Sequence, residues 1–189
     1  ERETLYAAWN RGVQMARDQV KEGAHVLDVC VDYVGRDGVV DMNELASRFA
    51  TQASLPLVFD STEAPVMEAG LQHSGGKAIL NSGNLEDGEG PGSRLDKVLT
   101  LARDYGAAVI CLAIDEEGQA RTVDWKVRVC KRIYDIAVDQ YGIDPTDRQK
   151  DLLELLKNGR IQPPQVVELN RSLLASAYPG LVAPGPTVL

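Results

Sequence analysis

Apolar residues in this chain fall in short runs separated by longer stretches with a helical period. Residues 25–33 (HVLDVCVDY), 55–59 (LPLVF), 78–80 (AIL) and 107–114 (AAVICLAI) are rich in Val, Ile and Leu, and each follows a glycine or a polar turn. Runs apolar on both faces suit strands covered on both sides, as in a parallel sheet. The intervening stretches read as amphipathic helices. Residues 42–53 place Leu45, Phe49 and Ala53 on one stripe, with Asp41 as N-cap. Residues 64–71 open beside Pro65 and close near Gly70, Gly75 and Gly76. Residues 93–105 carry Leu95, Val98, Leu99 and Ala102 on one face, and Gly106 follows as a stop. Thr122 caps a helix that runs towards Gly142 through Trp125, Val129, Ile133, Ile136 and Val138, and residues 1–22 are helical in pattern as well.

The order α-β-α-β-α-β-α-β-α implies right-handed crossovers and a parallel sheet. Two architectures fit: an open doubly wound sheet, or a (β/α) barrel. Four strands in 189 residues fall short of a closed eight-stranded barrel, which takes about 250. Beyond Gly142 the pattern changes. A helix around 148–157 and another over 163–177 are expected without an intervening strand, and 178–189 should form a loose tail. The expected organisation is therefore an α/β unit over 1–147, a helical appendage over 148–177 and the tail.

Composition narrows the function. With 44% hydrophobic residues the chain can build a core, and a net charge of -8 without any dense Lys/Arg run speaks against nucleic acid as a partner. No apolar run approaches the roughly 20 residues that span a bilayer, and the opening ERETLYAAWNRG lacks the layout of a signal peptide. No membrane partner and a cytoplasmic location are expected. Cys30, Cys111 and Cys130, widely spaced among apolar neighbours, read as buried free thiols. Neither CxxC nor HxxxH occurs, so no metal is expected, and His25 and His73 read as structural. Residues 86–92 (EDGEGPG) read as a solvated acidic turn, since their spacing is unlike a calcium loop. Trp125 reads as packing surface.

In parallel α/β folds chemistry gathers where strands end. The four runs finish in Asp28…Asp32-Tyr33, Asp60-Ser61-Thr62-Glu63, Asn81-Ser82-Gly83-Asn84 and Asp115-Glu116-Glu117. No Walker-type or GxGxxG loop is present, so phosphate is not the evident ligand. A rim of carboxylates and amides suits a neutral heterocycle. A carboxylate accepts two parallel N–H bonds from an amino-pyrimidine edge, and an Asn amide both donates and accepts.

Asp60-Ser61-Thr62, then Asn81-Ser82-x-Asn84, together with IDEEGQART (114–122) and GAHVLDVCVDYVGRDG (23–38), resemble the pterin-binding barrel of the cobalamin-dependent methionine synthases over about residues 1–147. The D-S-T and N-S-x-N elements alone indicate the wider pterin-binding superfamily; the two longer stretches favour the methionine synthases. The resemblance implies an α/β fold, an incomplete (β/α)8 TIM-barrel-like domain of about four βα units. It implies transfer of the N5 methyl of 5-methyltetrahydrofolate, the substrate, to cob(I)alamin held on a separate domain or partner. Asp60 and Asn81 then correspond to residues holding the pterin, with Asn84, Asp115 and Asp28 as rim neighbours. Implied partners are reduced folate and cobalamin-binding and homocysteine-binding modules. The family's first strand, its strand after GIDPTD and the cobalamin motif DxHxxG are not found, and Gly83 replaces a more usual apolar residue, which predicts a more flexible turn. A half-barrel also leaves open edges, so a homo-oligomer, a truncated non-catalytic folate binder or a structural half-barrel are alternatives. So is another pterin enzyme such as dihydropteroate synthase, although Arg121 and Lys126 form a thin basis for its diphosphate site.

Overall fold

The computed structural model describes residues 2–143; the expected helical appendage and tail over 148–189 lie outside the described residues. The chain opens with helix α1 (Arg2–Lys21) and then alternates: β1 (Leu27–Cys30), α2 (Gly38–Gln52), β2 (Leu57–Asp60), α3 (Ala64–Leu71), β3 (Ile79–Gly83), α4 (Arg94–Tyr105) and β4 (Ala108–Cys111). A two-residue-stranded hairpin, β5 (Ile114–Asp115) and β6 (Gly118–Gln119), precedes α5 (Val123–Asp139).

The strands pair in parallel in the order β1-β2-β3-β4. That sequential order decides between the two expected architectures, because a doubly wound sheet reverses direction at a switch point and carries helices on both faces. Here the described helices α1 to α4 pack on one face. Leu27 and Val29, Leu57 and Phe59, and Leu80 join Val13 and Ala16 of α1, Met42, Ala46 and Phe49 of α2, Met67 of α3 and Val98 and Ala102 of α4 in a single buried cluster. The described residues form a partial TIM-barrel-like arc with the helices outside. A second cluster, Leu85, Leu95, Leu99, Ala120, Val129, Ile133 and Ile136, seats α5 against α4.

The other face corrects the expectation of strands covered on both sides. Along β1 burial alternates, with Leu27 and Val29 buried and Asp28 and Cys30 exposed. Val58 is buried but belongs to neither apolar cluster, because it points to this inner face. All three cysteines are exposed free thiols, not buried ones. Apolar neighbours in sequence misled here, since in a strand residue i+1 faces the opposite way.

Most helix ends follow local chemistry. α3 carries Pro in its first turn, α4 is capped by Ser93, whose hydroxyl accepts from Asp96 N, and Gly106 closes it at φ 67°. Thr122 accepts from Trp125 N to start α5. One end differs: α2 begins at Gly38 and its cap is Asp37, which accepts from Val39 N and Val40 N. Asp41, the expected cap, lies one turn inside, buried and paired with Arg36. The stripe of α2 accordingly shifts to Met42, Ala46 and Phe49. The 107–114 run also divides, because the chain turns at Gly118 (φ 113°) and folds 114–119 back as a hairpin.

Candidate functional site

Parallel register brings the strand tips side by side. Cys30, Asp60 and Asn81 are successive partners across β1, β2 and β3, with Asp28 one layer lower opposite Val58. Register partners in neighbouring parallel strands point to the same face, about 4.8 Å apart. Asp60 and Asn81 therefore stand together, half-buried, on the face opposite the described helices.

Among the described residues neither the Asp60 carboxyl nor the Asn81 side-chain amide hydrogen-bonds to another protein group, whereas their neighbours are fixed. Asp32, just past β1, accepts from Ser61 Oγ (2.7 Å), Thr62 N (2.7 Å) and Thr62 Oγ1 (3.0 Å). Asn84 is 5% exposed, and its Oδ1 accepts from Glu86 N (3.0 Å). Asp115 is 7% exposed and accepts from Glu117 N (3.0 Å) and from the indole Nε1 of Trp125 (2.7 Å). So Trp125 is more than packing surface: it holds one Asp115 oxygen, while the carboxylate keeps further lone pairs. Asp28 is exposed on the inner face.

Charge at the rim is uneven. Partial removal from water, then the neighbouring Asp60 carboxylate, raise the Asp28 pKa above its ordinary value. Burial acts in the same direction on Asp32, but its bonds from Thr62 and Ser61 and the charge of Arg94 outweigh it and lower its pKa. These shifts have opposite consequences for stability. A raised folded-state pKa favours the folded chain below the unfolded carboxylate value, about 3.9, and that contribution is lost as pH rises through the folded value. Asp28→Asn is therefore expected to raise the thermal midpoint at pH 7, with the difference vanishing at pH 3; equal midpoints at pH 7 would contradict a cost from partial burial and the Asp60 charge together. Asp32 stabilises above the ordinary range and loses its contribution as pH falls through its lowered value.

Arg94, which the sequence did not single out, spans the rim. Its Nη1 donates to Thr62 O (2.6 Å), Nη2 to Ser61 O (3.1 Å) and Nε to Ser82 O (3.0 Å). Its backbone N–H donates to Asp87 (3.0 and 3.1 Å), so the acidic turn 86–92 is engaged in starting α4. Glu89 of that turn pairs with Arg132. Gly83 is no loose hinge either: it is buried, accepts from Leu112 N (2.9 Å), and a Cβ there would lie 3.2 Å from Leu95 Cδ1. A surface groove of about 800 Å³ lies outside, between α3 and α4 past Glu68, Lys97 and Asp104, and meets the rim at Thr62, Glu63 and Arg94. No helix among the described residues is long and apolar enough to cross a membrane, and no cluster of His, Cys, Asp or Glu there is arranged to hold a metal ion.

Residues 2–153 match the family described as Pterin binding enzyme. The methionine synthase of Mycobacterium tuberculosis is 49% identical over 153 residues, covering 80% of this chain and 13% of that protein. The methionine synthase of Mycobacterium leprae is 51% identical over 144 residues, 76% of this chain and 12% of that protein. The chain thus spans about an eighth of the length of the curated relatives it matches.

Proposed function

Because the chain belongs to the family of pterin binding enzymes, we propose that its strand tips bind the pterin ring of 5-methyltetrahydrofolate and present the N5 methyl group for transfer. One observation carries this reading: Asp60 and Asn81, side by side in register, are polar, half-buried and without a side-chain hydrogen bond among the described residues. Groups so placed gain most from a ligand that supplies their missing partners. The Asp60 carboxylate accepts a pair of N–H bonds from the amino-pyrimidine edge, and the Asn81 amide complements it as donor and acceptor. Asn84, Asp115 and Asp28 border the ring with weaker roles.

The methyl group leaves N5 readily when the nitrogen carries positive charge. Fixed carboxylates and amide oxygens around the ring favour that charge in advance of the reaction. A corrinoid carried by a separate module supplies the methyl acceptor, and this chain's part is to bind and orient the folate. Cobalamin-binding and homocysteine-binding modules, which the methionine synthases provide, are the proposed partners. A cytoplasmic setting belongs to the same proposal, since exposed thiols stay free in a reducing compartment.

A competition titration tests the ring assignment. A tetrahydropterin lacking the benzoyl-glutamate tail is expected to displace 5-methyltetrahydrofolate, and the tail fragment alone is not. Displacement by the tail fragment only would overturn the reading.

A second reading, a half-barrel completed by another copy or partner, draws on one observation. The inner face and rim expose Tyr33 (74%), Val34 (96%), Ile110 and Leu112, with β1 and β4 as open edges among the described strands. Light scattering discriminates: a monomer that binds folate and melts cooperatively contradicts it.

A further inference from the structure

Three strand tips are tied together by two residues to which neither the comparisons nor the reading above assigns a role. Asp32 follows β1 and takes both polar side chains that come after Asp60, the hydroxyls of Ser61 and Thr62. Arg94, at the first turn of α4, takes the backbone carbonyls of the same two residues with its two terminal nitrogens. Its third donor reaches the carbonyl of Ser82, which directly follows Asn81. The rigid planar fork of a guanidinium suits this task, because five donors at fixed angles hold several acceptors in one arrangement, which a lysine cannot do. Ser61 is 2% exposed and its N–H also donates to Asn81 O (3.2 Å).

We propose that Arg94 is a positioning residue which, braced by Asp32, locks the tips of β1, β2 and β3 together and so fixes Asp60 relative to Asn81. This rests on the folate reading for its consequence, but the brace itself is independent of any ligand. The reason for such a device lies in the fold. Register pairing of β2 with β3 ends at Asp60 and Asn81, a single backbone bond from Ser61 N to Asn81 O follows it, and the register between β3 and β4 shifts between Asn81 and Gly83. Past that bond the Asp32 and Arg94 side chains hold the tips that adjoin the two ring-binding groups. An error of 1 Å there separates a productive pocket from a loose one.

The test uses the full 189-residue chain in four forms: wild type, Arg94→Ala, Arg94→Lys, and Arg103→Ala as a control that removes an exposed arginine paired with Asp104 away from the strand tips. Amide hydrogen exchange is expected to accelerate in both Arg94 variants at residues 61–63 and 82–86, with α1 and α2 unchanged, and not in Arg103→Ala. Affinity for 5-methyltetrahydrofolate is expected to fall about tenfold or more in Arg94→Ala. In an Asp60→Ala background the same substitution should cost little further, because the two act through one contact. Partial recovery of Arg94→Ala binding by millimolar guanidinium would mark local repair, since a merely destabilised fold would be weakened by it. Unchanged exchange at both tips overturns the brace. Faster exchange with unchanged affinity, or with fully additive losses, overturns its role in positioning. If wild type binds no folate while exchange behaves as expected, the folate reading fails and the brace stands.

Discussion

Asp60→Ala and Asn81→Ala are each expected to weaken binding of 5-methyltetrahydrofolate by about tenfold to a hundredfold, with no loss of thermal stability. The magnitude follows from a hydrogen bond to a charged or well-fixed group, about 1.5–3 kcal/mol, at 1.4 kcal/mol per decade of affinity. Unchanged stability follows from the protein side. Neither side chain forms a hydrogen bond within the described residues, so truncation breaks no hydrogen bond there. Removing the Asp60 carboxylate even relieves the repulsion that, after partial burial, raises the Asp28 pKa. The double variant should lose less than the sum, because both groups grip one rigid ring. Calorimetric titration alongside thermal melts checks this, and parallel losses of binding and stability would assign both residues to the fold instead.

The second large effect belongs to the opposite face of the same strand. Phe59, fully buried beside Asp60, lies against α3 at Gly70, where a Cβ would come within 2.5 Å of the ring. Phe59→Ala is expected to cost about 3–5 kcal/mol, the usual toll of truncating a large core aromatic, out of a total stability of about 5–15 kcal/mol. Gly70→Ala drives a methyl into the ring and is expected to cost about 1–3 kcal/mol. Adding Phe59→Leu should soften the Gly70→Ala penalty, since a smaller side chain yields the space. Urea unfolding of the three variants measures these values. A Gly70→Ala chain as stable as wild type would show that α3 is free to move off the sheet.

How much of this was legible in the sequence depended on whether the cause was local. Pro65, Ser93, Gly106 and Thr122 act within a turn of themselves, so the beginnings and ends of α3, α4 and α5 could be read from them. The cap of α2 was misplaced because Asp37 and Asp41 both satisfy the residue preference. Only burial of Asp41 against Arg36 separates them. Which sheet face is covered was not legible either: the run HVLDVCVDY is apolar enough for two covered faces, yet the described helices pack on one. The strand-tip residues were visible because Asp60 and Asn81 close short apolar runs. Arg94 was invisible for a plain reason. Its partners are carbonyls 12, 32 and 33 residues upstream, and every residue has a carbonyl, so no pattern of side chains announces it. Trp125 escaped similarly, because packing and donation to Asp115 look alike in sequence.

The central claim is a place as much as a ligand: the tips of β2 and β3, not the outer groove between α3 and α4, receive the pterin ring. Amide and side-chain NMR shifts during titration with 5-methyltetrahydrofolate locate it directly. The expected result is saturable shifts at Asp60, Asn81 and Asn84, with Glu68, Lys97 and Asp104 still. Shifts confined to those three groove residues, or none at saturating folate, would contradict it.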